Sequence, residues 1–164
     1  MTDAVVRLAE IRDIDELVRM RADFTFEDAD AQTQLTNPGY EEECRAFLED
    51  AIGGGRWQIW VAELDGTVVS HAFVALIDRV PRPIYEPRRI AYLTNVYTRP
   101  EHRNRGIGGA VIRRAREAAR EADVEVIIVW PSDESLDFYA REGFEERDQP
   151  LMWKPEPLAG RPLL

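Results

Sequence analysis

Apolar residues in this chain recur at two spacings, every second position and every third or fourth, and each change of spacing marks a change of element. Val5 to Ala9 alternate as a short first strand. Asp13 precedes Ile14, Leu17 and Val18, with Glu16 three residues on, so a capped helix is expected from there to about Asp23. Pro38-Gly39 is a break, and Tyr40, Cys44, Phe47, Leu48 and Ala51 follow the 3.6-residue period of an amphipathic helix that Gly53-Gly54-Gly55 ends. The period places Cys44 on the buried face as a small core residue. Arg56 to Glu63 alternates as a strand up to Asp65-Gly66, a strong hairpin signal, and Thr67 to Ile77 pairs back as a long strand.

The second half mixes the two periods. A proline-rich connection, Pro81 to Pro87, leads into a strand over Arg88 to Thr98, which Pro100 stops because it lacks a ladder donor. Gly106 to Ala122 reads as a helix with a stripe at Ile107, Val111, Ala115, Ala118 and Ala122. Val124 to Trp130 is apolar enough to read as a buried central strand, and strand, helix, strand at this spacing implies a parallel crossover. A short helix from about Glu134 to Arg141 ends at Gly143, and Phe144 to Glu146 with Leu151 to Trp153 are expected to form a last hairpin. From Pro155 the chain reads as an irregular tail.

At 164 residues the chain suits one domain with one core. No apolar run approaches the roughly 18 residues of a bilayer helix, the N-terminus has no signal-like pattern, and one cysteine makes no internal disulfide; a cytoplasmic protein without a membrane partner is expected. A net charge of −10 opposes nucleic-acid binding. The charges are segregated. Nine acids and one base between Asp23 and Asp50 give a local net of −8, whereas seven arginines and two acids between Arg99 and Arg120 give +5. A basic island of that kind can steer an anionic ligand toward residue 105.

The stretch from Asn95 to Gly109 explains what anion that would be. A strand stops at a proline, a short basic loop follows, and glycines open a helix whose first amides lack internal partners; pyrophosphate is the natural occupant. The P-loop lacks its Gly-Lys-Ser/Thr end here, and the dinucleotide fingerprint would put its third glycine at Val111. What fits is Arg/Gln-x-x-Gly-x-Gly/Ala, as Arg103-x-x-Gly106-x-Gly108. About 30 residues on, Tyr139-Ala140-Arg141-Glu142-Gly143-Phe144 supplies a Tyr-x-x-x-Gly-Phe signature. A lone glycine loop is equally a tight turn before a packed helix; the two motifs together are far more specific.

With both, the chain resembles the GCN5-related N-acetyltransferase (GNAT) family from about Arg7 to Trp153. The resemblance implies a single α/β (α+β) domain over residues 1–154 with a tail at 155–164. Its sheet is mainly antiparallel, flanked by helices and splayed between strands 4 and 5. It implies acetyl-coenzyme A as co-substrate, an amine acceptor and no metal; a homodimer is compatible with it. Arg103, Asn104, Arg105, Gly106, Ile107, Gly108 and Gly109 would hold the pyrophosphate, and Val96, Tyr97 and Thr98 would meet the pantetheine arm. Tyr139 matches the family's acid, and the Val96 amide is the expected oxyanion donor. Ser132 and Ser135 are either pantetheine contacts or plain helix caps, and Tyr139 is alternatively packing beside Leu136. The general base stays open: the strand before the loop has no carboxylate, and parity with Val96 puts Tyr92 and Thr94 on the inward face, leaving Tyr92 and the acids of the N-terminal helical region as candidates. His71 is expected to be a satisfied, half-buried strand residue. A non-catalytic coenzyme A-binding module of the same fold is the alternative. The acidic stretch from Asp23 to Asp50, on the acceptor side in this family, favours a small cationic amine over an acidic one.

Overall fold

The computed structural model describes residues 4–27 and 37–146. Five strands form one sheet in chain order: β1 (Val5–Leu8), β2 (Trp57–Leu64), β3 (Thr67–Asp78), β4 (Arg89–Thr98) and β5 (Val124–Val129). The first four pair antiparallel, and β5 runs parallel to β4 after a helical crossover. Asp65 and Gly66 turn the β2–β3 hairpin with φ of 50° and 79°, the doubly left-handed geometry that Asp-Gly favours.

The strands alternate because both sheet faces are covered. In β2, Ile59 and Val61 face one helical layer, while Trp60 and Ala62 face the other. Helices α1 (Ile14–Glu27) and α2 (Tyr40–Gly54) cover the first face through Leu17, Met20 and Leu48, each 1% exposed or less. Helix α3 (Ile107–Glu121) covers the second through Ile107, Val111, Ile112 and Ala115, joined by Tyr139 of the short α4 (Leu136–Arg141). No helix among the described residues is long and apolar enough to cross a membrane.

Four expectations need correction. Helix α1 continues a full turn past Asp23 to Glu27, because Phe24 stacks on Tyr97 with ring centroids 5.4 Å apart and Glu27 accepts a hydrogen bond from the Tyr97 hydroxyl. Strand β5 is not a buried central strand: among the described residues β4 is its sheet neighbour on one side only, and Val126 and Trp130 are exposed. Phe144 to Glu146 form no strand, and Leu151 to Trp153 lie outside the described residues, so the expected hairpin is not seen in its first half. Phe47, on the predicted apolar stripe of α2, is 42% exposed and meets the core only edge-on through Trp57. Cys44 is half-buried beside the α1–α2 core, as its period implies.

A buried charge network fixes where α1 begins. Arg7 of β1 donates to both carboxylate oxygens of Asp13, at 2.7 and 2.9 Å, and also to Glu63 of β2, while the Glu10 amide donates to Asp13 at 2.7 Å. Burial pushes the Asp13 carboxyl up, but the Arg7 bonds and the Glu10 amide outweigh it and hold the group below its ordinary value. A carboxyl depressed in the folded state stabilises the fold at pH values above its unfolded pKa of about 3.9 and loses that contribution as pH falls through the folded value. Asp13→Asn is therefore expected to cost about 2–3 kcal/mol near pH 7, since it leaves a half-buried guanidinium short of a partner. In urea titrations the gap between the two proteins should shrink below about pH 4. A gap that stays constant from pH 7 to pH 3 contradicts the ionised pair.

Candidate functional site

Strand β4 outruns β5. Their parallel pairing stops at Leu93 and Val129, and from Thr94 to Thr98 β3 is the strand partner of β4 among the described residues. The register against β3 shifts in this span, from Thr94 opposite Phe73 to Tyr97 opposite His71, and Asn95 sits at φ 48°: a β-bulge inserts one extra residue. The bulge overturns the parity expectation. Val96 packs on the α3 face with Leu93, whereas Thr94 lies opposite Phe73, whose side chain belongs to the α1–α2 face. Tyr92 and Thr94 thus lie on the other face of the strand from Val96, and the Tyr92 ring packs edge-on against Trp130 at 4.9 Å.

Beyond β4 a single turn, Pro100–His102, leads to a loop with two left-handed residues, Asn104 at φ 58° and Gly106 at φ 76°. Gly106 caps α3, and the first helical bond runs from the Ala110 amide to the Gly106 carbonyl at 3.0 Å. The amides of Ile107, Gly108 and Gly109 are therefore left without helical partners at the positive end of the dipole. A Cβ on Gly108 would lie 3.0 Å from the Thr98 hydroxyl, and one on Gly109 would collide with the Glu142 carboxylate, which Arg113 holds at 2.9 Å. The backbone comes this close to its surroundings only because these positions are glycine.

The gap between β4 and β5, the glycine loop and α4 enclose one cleft of about 590 Å³. It brings together Val96, Tyr97 and Thr98 with Arg103, Asn104, Gly106, Ile107, Gly108 and Gly109, and across from them Ser132, Ser135 and Tyr139. Arg105 and Tyr92 are not in its walls; Arg105 lies 3.2 Å from the His102 ring. Ser132 and Ser135 make no side-chain caps. Instead the Ser132 hydroxyl donates to that of Ser135, which donates to the Ser132 carbonyl. Tyr139 is 8% exposed, held edge-on between Phe138 and Phe144, and burial pushes its hydroxyl up to about 12, with Tyr92 adding to the rise.

Charges far apart in the sequence meet at this cleft. Arg103 donates to the Thr98 carbonyl at 2.9 Å, pairs with Glu27 at 2.5 Å and lies over the Tyr97 ring. Arg99 pairs with Glu16 and lies 3.8 Å from Asp23; Arg113 and Arg116 both bind the α4 end at Glu142. The basic island is thus largely compensated in space, and part of the acidic stretch is what compensates it. Phe24, Glu134 and Glu142 are wall residues that the sequence reading missed, and Glu27, one of the acids of the N-terminal helical region it kept as candidates, lies in the wall with them. For Phe24 and Glu27 the signal was the helical spacing one turn beyond Asp23. The Glu27 carboxyl stands below its ordinary value because of Arg103, against some burial, with help from Tyr97.

His71 departs from expectation. It is fully buried rather than half-buried; its Nδ1 lies 2.8 Å from the Asn95 carbonyl, and its Nε2 has no partner among the described residues. Burial pulls its pKa down to about 4.

Comparison with known proteins fits this geometry. The acetyltransferase (GNAT) domain model matches residues 55–146. An uncharacterized N-acetyltransferase of Methanocaldococcus jannaschii is 34% identical over 71 residues, a match that spans 42% of this chain and only 31% of that protein. A GCN5-related N-acetyltransferase from Ralstonia eutropha JMP134 superimposes with a TM-score of 0.73 at 27% identity, over 93% of this chain and 97% of that one. A predicted acetyltransferase from Clostridium acetobutylicum, solved with acetyl-CoA, does so with a TM-score of 0.76 at 24% identity, over 92% and 96%. The fold, the glycine loop and the matched domain together make this chain a member of the GNAT acetyltransferase family.

Proposed function

We propose that the chain transfers an acetyl group from acetyl-coenzyme A to a primary amine, with a small cationic amine as acceptor. The observation that supports this most directly is one cleft in which an unpaired strand edge, a left-handed glycine loop at a helix N-terminus and a buried tyrosine meet. In this reading the amides of Ile107, Gly108 and Gly109, with the backbone of Arg103, Asn104 and Gly106, hold the pyrophosphate. The edge from Val96 to Thr98 receives the pantetheine amides as it would an added strand, and Ser132 and Ser135 border the arm from the other side. That the Clostridium acetyltransferase of the same fold was solved with acetyl-CoA supports acetyl-CoA as the donor.

Acetyl transfer needs a neutral amine close to the thioester, stabilisation of the charge that develops on its oxygen, and a proton for the departing thiolate. The Val96 amide donates to that oxygen. Tyr139, raised to about 12, is protonated at neutral pH; it donates its proton to the thiolate, reference value about 8.5, as the carbon–sulfur bond breaks, and this uphill transfer is completed when the tyrosinate regains the proton that the amine sheds. Tyr92, outside the cleft walls and packed edge-on against Trp130, takes no part in this reading of the chemistry. Strand β4 carries no carboxylate, and Glu27 is held as an ion by Arg103 and Tyr97, which makes it a weak base; the amine proton leaves through water at the cleft mouth. The cationic preference rests on the acidic stretch from Asp23 to Asp50, of which Glu27 reaches the cleft wall paired with Arg103.

Gly108→Val should weaken acetyl-CoA binding at least tenfold, about 1.4 kcal/mol, by calorimetry on the folded variant; unchanged affinity rejects the loop as the pyrophosphate site. Tyr139→Phe should leave that affinity within about threefold and lower turnover on the order of 100-fold. Equal turnover, where thiol release limits the rate, leaves Tyr139 as packing only. The activity itself is read as free thiol released from acetyl-CoA over a panel of amines at low and high salt. A cationic best acceptor whose kcat/KM falls with ionic strength is expected. Tight binding without thiol release across the panel points to a non-catalytic coenzyme A-binding module, and a neutral or anionic best acceptor removes the cationic preference.

A further inference from the structure

The β4 bulge poses a bonding problem that two side chains of β3 solve. Inserting one residue at Asn95 breaks the regular ladder to β3, so carbonyls of β4 lose their strand partners. Ser70, fully buried, donates its hydroxyl to the Tyr97 carbonyl at 3.0 Å and sits 2.8 Å from the Thr98 hydroxyl. His71, the next residue and equally buried, stands 2.8 Å from the Asn95 carbonyl through Nδ1. A carbonyl oxygen only accepts, so Nδ1 carries the proton, and Nε2 is left as a buried acceptor with no partner among the described residues. A buried orphan acceptor is costly, and burial in an apolar setting suits Leu or Phe better than imidazole. The edge-on Phe73 ring at 5.3 Å and the Tyr97 ring at 5.9 Å would accept such a replacement. What imidazole adds is the bond to Asn95.

That bond bears on the reacting end of the cleft through peptide geometry. The peptide joining Asn95 and Val96 is planar, and in a trans peptide the carbonyl and the following N–H point in opposite directions. Holding the Asn95 carbonyl toward β3 turns the Val96 N–H away from β3, toward the side where β5 has already ended. Asn95 is in the left-handed region, which a non-glycine residue adopts at a cost, so the orientation needs an external hold. We propose that His71 is a positioning residue: as the neutral Nδ1–H tautomer it pins the Asn95 carbonyl and thereby aims the Val96 amide into the gap between β4 and β5. This rests on the reading of that gap as the thioester site. It requires the imidazole to stay neutral and undissociated, as its full burial dictates.

The test uses the intact chain and two variants. His71→Leu keeps apolar volume and removes the donor, while His71→Asn places an amide N–H where Nδ1 stood. Nitrogen-15 NMR of the unliganded wild type should show the Nδ1–H tautomer, neutral from pH 8 to below pH 6. The Val96 amide resonance should move in His71→Leu and return toward its wild-type position in His71→Asn. With acetyl-CoA labelled with carbon-13 at the carbonyl, the bound carbonyl signal should lie downfield of the free one in wild type and His71→Asn, and revert toward the free value in His71→Leu. Affinity for acetyl-CoA should stay within about threefold, and thiol release with the best amine of the panel should fall by roughly 10- to 100-fold in His71→Leu, the scale of a misaimed oxyanion donor, with most of it restored in His71→Asn. An Nε2–H tautomer in wild type, or His71→Asn no better than His71→Leu, overturns the proposal. So does an unmoved Val96 resonance in a folded His71→Leu. A wild type that does not bind acetyl-CoA overturns the reading of the gap instead, and the tautomer and Val96 resonances still decide whether His71 pins the bulge.

Discussion

A strand that extends past its neighbour leaves backbone donors and acceptors facing open space, and such groups must find other partners or wait for a ligand. In this fold β4 extends past β5 by the span from Thr94 to Thr98, and the organisation of the cleft follows from how that span is held. Its side toward β3 is engaged by the ladder and, where the bulge breaks it, by Ser70 at the Tyr97 carbonyl and His71 at the Asn95 carbonyl. Its other side has no strand partner among the described residues. Pinning one side of a flat peptide decides what the other side presents, so rigidity on the β3 side and receptivity on the β5 side are the same property.

The electrostatics has a similar economy. In the sequence, acids gather before residue 50 and arginines after residue 99, which suggests two opposed fields. In space, Glu16, Asp23 and Glu27 of α1 face Arg99 and Arg103 of the loop. Both partners in these contacts are partly exposed, so each pair adds little to stability on its own. Their effect is geometric: Arg103 is drawn between the Thr98 carbonyl, the Tyr97 ring and Glu27, which fixes the loop between β4 and α3. In the proposed reading, pyrophosphate binding then rests on the helix amides of Ile107, Gly108 and Gly109 more than on arginine side chains.

Much of the fold was legible because local rules and tertiary demands agree. Asp65-Gly66 needed left-handed φ and had it, and the α3 stripe faces the sheet as its period requires. The turn into α3 was legible in Gly106, whose left-handed φ caps the helix, but the loop pointed to a ligand only when taken together with the Tyr139–Phe144 motif. What was illegible depends on single-residue irregularities. The Asn95 bulge inverts face parity for everything after it, and no pattern in Tyr-Leu-Thr-Asn-Val announces an inserted residue. The last turn of α1 is held by Phe24 and Glu27 against Tyr97, contacts between residues some 70 positions apart that intrinsic propensity does not report. His71 was misread because burial was inferred from strand position, whereas covering helices on both sheet faces leave that part of β3 no exposed side.

Helix α1 links the two ends of this account. Its start is fixed by Asp13 in the buried network with Arg7 and Glu63, and its last turn supplies Phe24 and Glu27 to the cleft. Fourteen residues at about 1.5 Å each separate those ends by roughly 20 Å. A helix packed through Leu17, Val18 and Met20 cannot slide by a fraction of a turn without losing that packing, so anchoring the residue just before it sets the height and rotation of its last. The partly buried ion pair at Asp13, of modest net stabilising value in itself, thereby governs where Glu27 meets Arg103 and Tyr97, and through Arg103 how the glycine loop stands over the end of β4.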